Sequence, residues 1–149
     1  ISPEADALGS GWNIAQSKIA IGSGQFFGKG YMEGSQSQLD FIPESHTDFI
    51  FAVIVEEFGF LGALGLFLLY AFLIHRLLYV AKSSNSKFAK LVSATLSIIL
   101  AAYITLNISM VVGIFPVVGM PLPFISQGGT ALVVNMITIG IILSLRRTT

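Results

Sequence analysis

The residues best suited to chemistry fall in one short segment, Phe41–Phe49, which reads FIPESHTDF. Pro43 ends any regular element before it. Ser45 to Asp48 then fits the S-x-x-D capping pattern, directly ahead of an apolar run. Asp48 is therefore expected in the first helical turn, where the helix dipole favours its anionic form. Two readings follow. Asp48 is a helix-start carboxylate and nothing more, or it is a base held at a lipid–water boundary with Glu44 and His46 as neighbouring polar groups.

Glu56 and Glu57 interrupt the apolar run that follows. A carboxylate inside a membrane span costs several kcal/mol unless it is paired or faces water. On a straight helix Glu56 lies about 80° around from Asp48 and about 12 Å deeper. Asn107 and Asn135 each stand eight residues inside the expected end of their own apolar runs. By that count Glu56, Asn107 and Asn135 share one depth, with Glu57 beside them. Such a polar layer serves as glue between helices, or as a proton or ion path. Lys18 and Lys29 are the only bases among residues 1–57. They are solvated charges, or cations available to a phosphate. The segment Gly113–Gly129, GIFPVVGMPLPFISQGG, holds three prolines and four glycines. Irregular backbone of this kind is tolerated at membrane depth only where protein or a water-filled cavity covers it. The Gly128–Gly129 pair suits a helix start that offers free N–H groups to a phosphate, and equally a plain turn. The sequence has no P-loop, no His/Cys metal spacing and no G-x-S-x-G.

These residues must be positioned by membrane helices. Of 149 residues, 54% are hydrophobic and 11% charged; an ordinary soluble domain carries about 25% charged residues. With a mean hydropathy of +0.81, a water-soluble enzyme and a disordered chain are both excluded, and the bilayer is the expected solvent. Three apolar runs divide the chain. Expected are an extracytoplasmic loop over 1–47, spans over 48–75, 91–115 and 127–145, a cytoplasmic loop over 76–90, an outer loop over 116–126 and a cytoplasmic tail over 146–149. The third run is the shortest of the three.

Charge sets the orientation. All eight acidic residues lie in residues 1–57 and, against two lysines, leave −6 there; the six bases beyond leave +6. Arg76, Lys82, Lys87, Lys90, Arg146 and Arg147 are expected on the cytoplasmic side. That pattern is one of topology, not of nucleic-acid binding. Residues Trp12–Ile21 have a ragged amphipathic pattern, expected as a short helix on the membrane surface. The glycine-rich stretch Gly22–Gly30 after it is expected as a loop. No cysteine is present, so no disulfide framework exists. The start at Ile1 and the odd number of spans are expected of a piece of a larger bundle.

Three segments, GWNIAQSKIAIGSGQFFGKGY, SQLDFIPESHTDFIFAVIVEEFG and GIFPVVGMPLPFISQGG, in this order resemble the SEDS family (shape, elongation, division and sporulation) of bacterial cell-wall polymerases. Pro116-Val117-Val118-Gly119 fits the elongation members better than the division members, which usually read Pro-Thr-Lys-Gly. The resemblance implies an all-α integral membrane protein in which this chain is the large outer loop and last three spans of about ten. It implies a peptidoglycan glycosyltransferase of the inner membrane that polymerises lipid II during elongation and maintains cell shape. Its implied partners are a class B penicillin-binding protein acting as transpeptidase, other elongation-complex membrane proteins, and membrane lipids. The family's essential acid matches Asp48. Lys18 and Ser126 match positions around the central cavity, and Glu44, His46, Gln127 and Gly128 complete the expected substrate-binding set. Many members read I-S-Y-G-G where this chain has Gln127.

The implied chemistry is a single inverting displacement, from an α-linked donor to a β-1,4 product. Asp48 would act as general base on the acceptor 4-hydroxyl. The leaving undecaprenyl pyrophosphate would be met by Lys18, by N–H groups near Gly128 and Gly129, or by a divalent cation. Two other classes compete. A transporter that flips lipid-linked precursors would lean on the Glu56, Glu57, Asn107 and Asn135 layer instead. A scaffold leaves Asp48 without a role. The piece alone is expected to be inactive.

Overall fold

The computed structural model describes residues 10–31, 33–34, 47–84 and 86–147. Four helices carry them: α1 (Ser10–Gly24), α2 (Ile50–Ser83), α3 (Lys87–Val112) and α4 (Gly129–Arg147). The described residues form no strand, as expected of an all-α chain. Helix α1 covers the expected amphipathic stretch and extends it at both ends. It does not merely lie on a surface. Ile14, Ser17 and Ala20 are buried, α1 packs against α2 and α3, and the Ser17 hydroxyl donates to Val111 O at 2.9 Å.

Helix α2 is two helices joined at Gly59. There the backbone takes φ 67° and ψ −161°, a conformation open essentially to glycine alone. The segment before the break folds back along the segment after it. Phe51 and Phe67, each eight residues from Gly59, have ring centroids 6.1 Å apart; a straight helix would hold them about 24 Å apart. The helix Phe60–Ser83 is thus the long arm, about 36 Å at 1.5 Å per residue, and residues 50–58 are a short re-entrant arm.

The glycine-rich loop after α1 is what satisfies the break. A broken helix exposes carbonyls on one side and N–H groups on the other. Lys29 N–H donates to Glu56 O and Gly30 N–H to Glu57 O, both at 3.0 Å. Phe60 and Leu61 N–H in turn donate to Gln25 O and Phe26 O at 3.0 and 3.3 Å. The loop lies so close that a Cβ on Gly28 would meet the backbone of Glu57 and Gly59.

This overturns one expectation about depth. Measured along the long arm, Glu56 lies beside the turn and Asp48 lies deeper, about level with Tyr70. The straight-helix count had the order reversed because nothing in it allowed for a fold-back at Gly59. The first-turn expectation also shifts. Asp48 stands in the turn 47–49, Phe49 takes the N-cap position without a side-chain cap, and Ser45 lies outside the described residues.

Helix α3 runs antiparallel to the long arm and ends on Gly113, left-handed at φ 81°. The chain then descends again. Tyr70 OH donates to Pro123 O at 2.6 Å, so the irregular segment after Gly113 reaches about ten residues down the long arm before α4 begins. Among the described residues two helices, α2 and α3, are long and apolar enough to cross a membrane; the apolar stretch Gly129–Leu145 of α4 is shorter. The descending segment takes up the length that α4 lacks. The helices also run past the limits expected for the spans, so that only residues 84–86 separate α2 from α3.

Candidate active site

Asp48 sits where the two descending segments meet. Its turn is held from two sides. The Asn107 side-chain amide, fully buried on α3, donates to Asp48 O at 2.9 Å and with its second hydrogen to Met120 O. Both donors of that amide are therefore used, one on each descending segment. The Ser126 hydroxyl donates to Thr47 O and accepts from Leu122 N–H at 2.6 Å. It too ties the Asp48 turn to the segment that precedes α4. Gly119, left-handed at φ 67°, lies against the carboxylate: a Cβ there would stand 3.4 Å from Asp48 Oδ2. The backbone that carries the half-buried Asp48 is thus fixed on both sides.

The expected polar layer divides. Asn107 belongs with Asp48. Glu56, fully buried, takes Lys29 as its ion-pair partner at 2.8 Å, beside the break. Glu57 is half-buried, with its carbonyl engaged by Gly30. Asn135 lines a groove of about 340 Å³ between α3 and α4, with Tyr103, Pro121 and Thr138. One depth for Glu56, Asn107 and Asn135 required straight helices, and α2 is not straight.

The remaining expected site residues fall as follows. Lys18 is exposed at the end of α3, so close that a Cβ on Gly113 would lie 2.8 Å from its Nζ. Ser126 is buried and committed to backbone partners. Gln127 is exposed and Gly128 half-buried at the start of α4. Glu44 and His46 lie outside the described residues. Sequence reasoning missed Gly59, the Lys29–Glu56 pair and Tyr70. A lone tyrosine inside the apolar run was a visible signal for the last; its buried hydroxyl needed a partner.

A divalent cation was one expected means of meeting a leaving pyrophosphate. Among the described residues no group of three or more His, Asp or Glu is gathered to hold one.

Long apolar helices, a broken helix folded back on itself and a carboxylate fixed where irregular segments meet define the class. These are the features of a helical membrane protein with a discontinuous helix at its candidate site. Comparison with known proteins makes that particular. Residues 1–149 match the FtsW/RodA/SpoVE family, described as cell cycle proteins, and the chain belongs to that family. It is 52% identical to the peptidoglycan glycosyltransferase MrdB of Escherichia coli K12, over 97% of this chain and 39% of that protein. It is 39% identical to the peptidoglycan glycosyltransferase RodA of Treponema pallidum, over 97% of this chain and 34% of that one. The chain thus spans about 39% of the length of the first of these relatives. Among solved structures, it is similar to a peptidoglycan synthase complex described as coordinating polymerization and crosslinking, with TM-score 0.79 and 28% identity, over 98% of this chain and 39% of that one. It shares its fold with RodA of Thermus thermophilus, solved as an aspartate-to-alanine mutant, with TM-score 0.66 and 23% identity, over 92% of this chain and 49% of that one.

Proposed function

We propose that this chain carries the catalytic carboxylate of a membrane glycosyltransferase that polymerises lipid II into glycan strands during cell elongation. The observation that carries the reading is the double tethering of the Asp48 turn, by Asn107 from α3 and by Ser126 from the segment before α4. A base must be held within hydrogen-bond reach of the proton it takes, and the turn that carries the half-buried Asp48 is fixed by its backbone. The names of the relatives support the reaction class.

In the proposed step Asp48 takes the proton of the acceptor 4-hydroxyl. That oxygen forms a bond to the donor's anomeric carbon as the bond to the pyrophosphate oxygen breaks. Undecaprenyl pyrophosphate leaves with the electron pair, and the α-linkage becomes β. Lys18, exposed at the end of α3, is the cation proposed to meet the departing pyrophosphate. The basic residues orient the site to the extracytoplasmic face of the inner membrane, with α1 and the Gly113 end outside. A penicillin-binding transpeptidase is the proposed partner, in keeping with the solved synthase complex.

The test is polymerisation of lipid II by the full-length protein with its partner, wild type against Asp48→Asn. Transpeptidation is blocked and complex formation serves as the folding check. Strands vanish in Asp48→Asn while the complex survives. Strands made at the wild-type rate would remove Asp48 from the chemistry and return attention to lipid transport.

A further inference from the structure

The pair formed by Lys29 and the buried Glu56 has no role in the reaction as drawn. It lies at the fold-back of α2, about 12 Å from Asp48 along the re-entrant arm. We infer that Lys29 and Glu56 are a positioning pair that fixes the direction of this arm and so the place of the Asp48 carboxylate. The inference rests on the polymerase reading and deepens it.

Three observations lead there. First, the pair is costly. Glu56 is fully buried while Lys29 remains 29% exposed. Burying a carboxylate is repaid only by close geometry, and fixing one arrangement among several is the best-attested use of such a pair. Second, the two residues belong to the two bodies whose relation has to be fixed. Glu56 is on the re-entrant arm, and Lys29 is on the loop that satisfies both sides of the break. Third, the backbone bonds of that loop all fall at the turn. They anchor one end of the arm, Asn107 and Ser126 tether the Asp48 turn at the other, and between them Phe51 meets Phe67 in an apolar contact. The Lys29–Glu56 side-chain bond adds a second link to the one from Lys29 N–H to Glu56 O, and two links between the same residues resist a rotation that one alone allows.

The lever arm gives the sensitivity. A 10° swing about Gly59 displaces Asp48, eleven residues and about 16 Å away, by about 3 Å. A displacement of about 1 Å can cost about 100-fold in rate. A pair that never touches substrate can therefore control the transfer step.

The test uses the full-length protein with its partner. Glu56→Gln, Lys29→Met, the double variant and Lys29→Arg are compared for kcat and KM with lipid II, and for amide hydrogen exchange over residues 50–58 and over α3. Each single variant should lose about 10- to 100-fold in kcat, with KM within about twofold. The double variant should be no worse than the poorer single one, and Lys29→Arg should keep most of the activity. Exchange should quicken over residues 50–58 and stay unchanged in α3. Lys29→Gln, which keeps a donor for the carboxylate, replaces Lys29→Met if the latter does not insert. The inference is overturned if folded single variants keep wild-type kcat, if their losses multiply in the double variant, or if α3 loosens equally. A wild type that makes no strands sinks the polymerase reading instead, while the exchange comparison still decides whether the pair holds the arm.

Discussion

Asn107 does more at the site than its place in an apolar helix suggests. Each hydrogen of its amide is given to a different descending segment, Asp48 O on one and Met120 O on the other. Asn107→Leu keeps the approximate volume and removes both donors. Two carbonyls then lose their partner, at about 1–3 kcal/mol each if they stay buried. The expected outcome is a fall of about 10-fold or more in lipid II polymerisation, with the protein still extracted as a folded complex, read by parallel activity and thermal-unfolding assays. Full activity would mean that Ser126 alone holds the turn. At this scale the sequence was half legible. Asp48 stood out because a proline, a capping pattern and an apolar run converge on it. Asn107 was visible as a polar residue in a span, yet its partners were not, since they are backbone carbonyls brought in by chain reversals that side-chain types do not encode.

Those reversals belong to the elements. Gly59 sits in VEEFGFLG, inside a run apolar enough to read as one span. Glycine is common in membrane helices, so its presence signals no break. The break becomes favourable only because the loop over residues 25–30 brings donors and acceptors to both sides of it, a tertiary effect absent from any local pattern. Gly59→Ala tests this. A Cβ there would run into the backbone of Phe26 and Gly28, and φ 67° is itself costly for alanine, by about 1–3 kcal/mol. The variant should lose several degrees of thermal stability and most of its polymerisation, more than Gly65→Ala, where a Cβ meets nothing within 4 Å. Equal effects at the two glycines would contradict the account. The helices themselves were legible, α2 to α4 from length and hydropathy and α1 from its ragged amphipathic pattern. The short α4 is explained by the descent of the segment before it, which three prolines and four glycines announced only as irregular.

For the whole molecule, the chain is about 39% of the length of its relative MrdB, and α4 leaves Leu132, Val133, Met136 and Ile137 exposed. The account therefore concerns the full-length membrane protein, and its central claim is that Asp48 acts from a re-entrant arm folded back beside the long arm of α2. The most direct measurement places a photoreactive benzophenone amino acid at the exposed Phe67 of the full-length protein. Lipid II polymerisation with the partner is then assayed before and after illumination, and the captured residue is mapped by mass spectrometry. The account predicts capture of Phe51 or its immediate neighbours, in a protein that polymerises before illumination and whose linked form still does. Polymerising protein that captures nothing from residues 50–54, as a straight helix with a separation of about 24 Å requires, would contradict it; so would a linked form that has lost its activity.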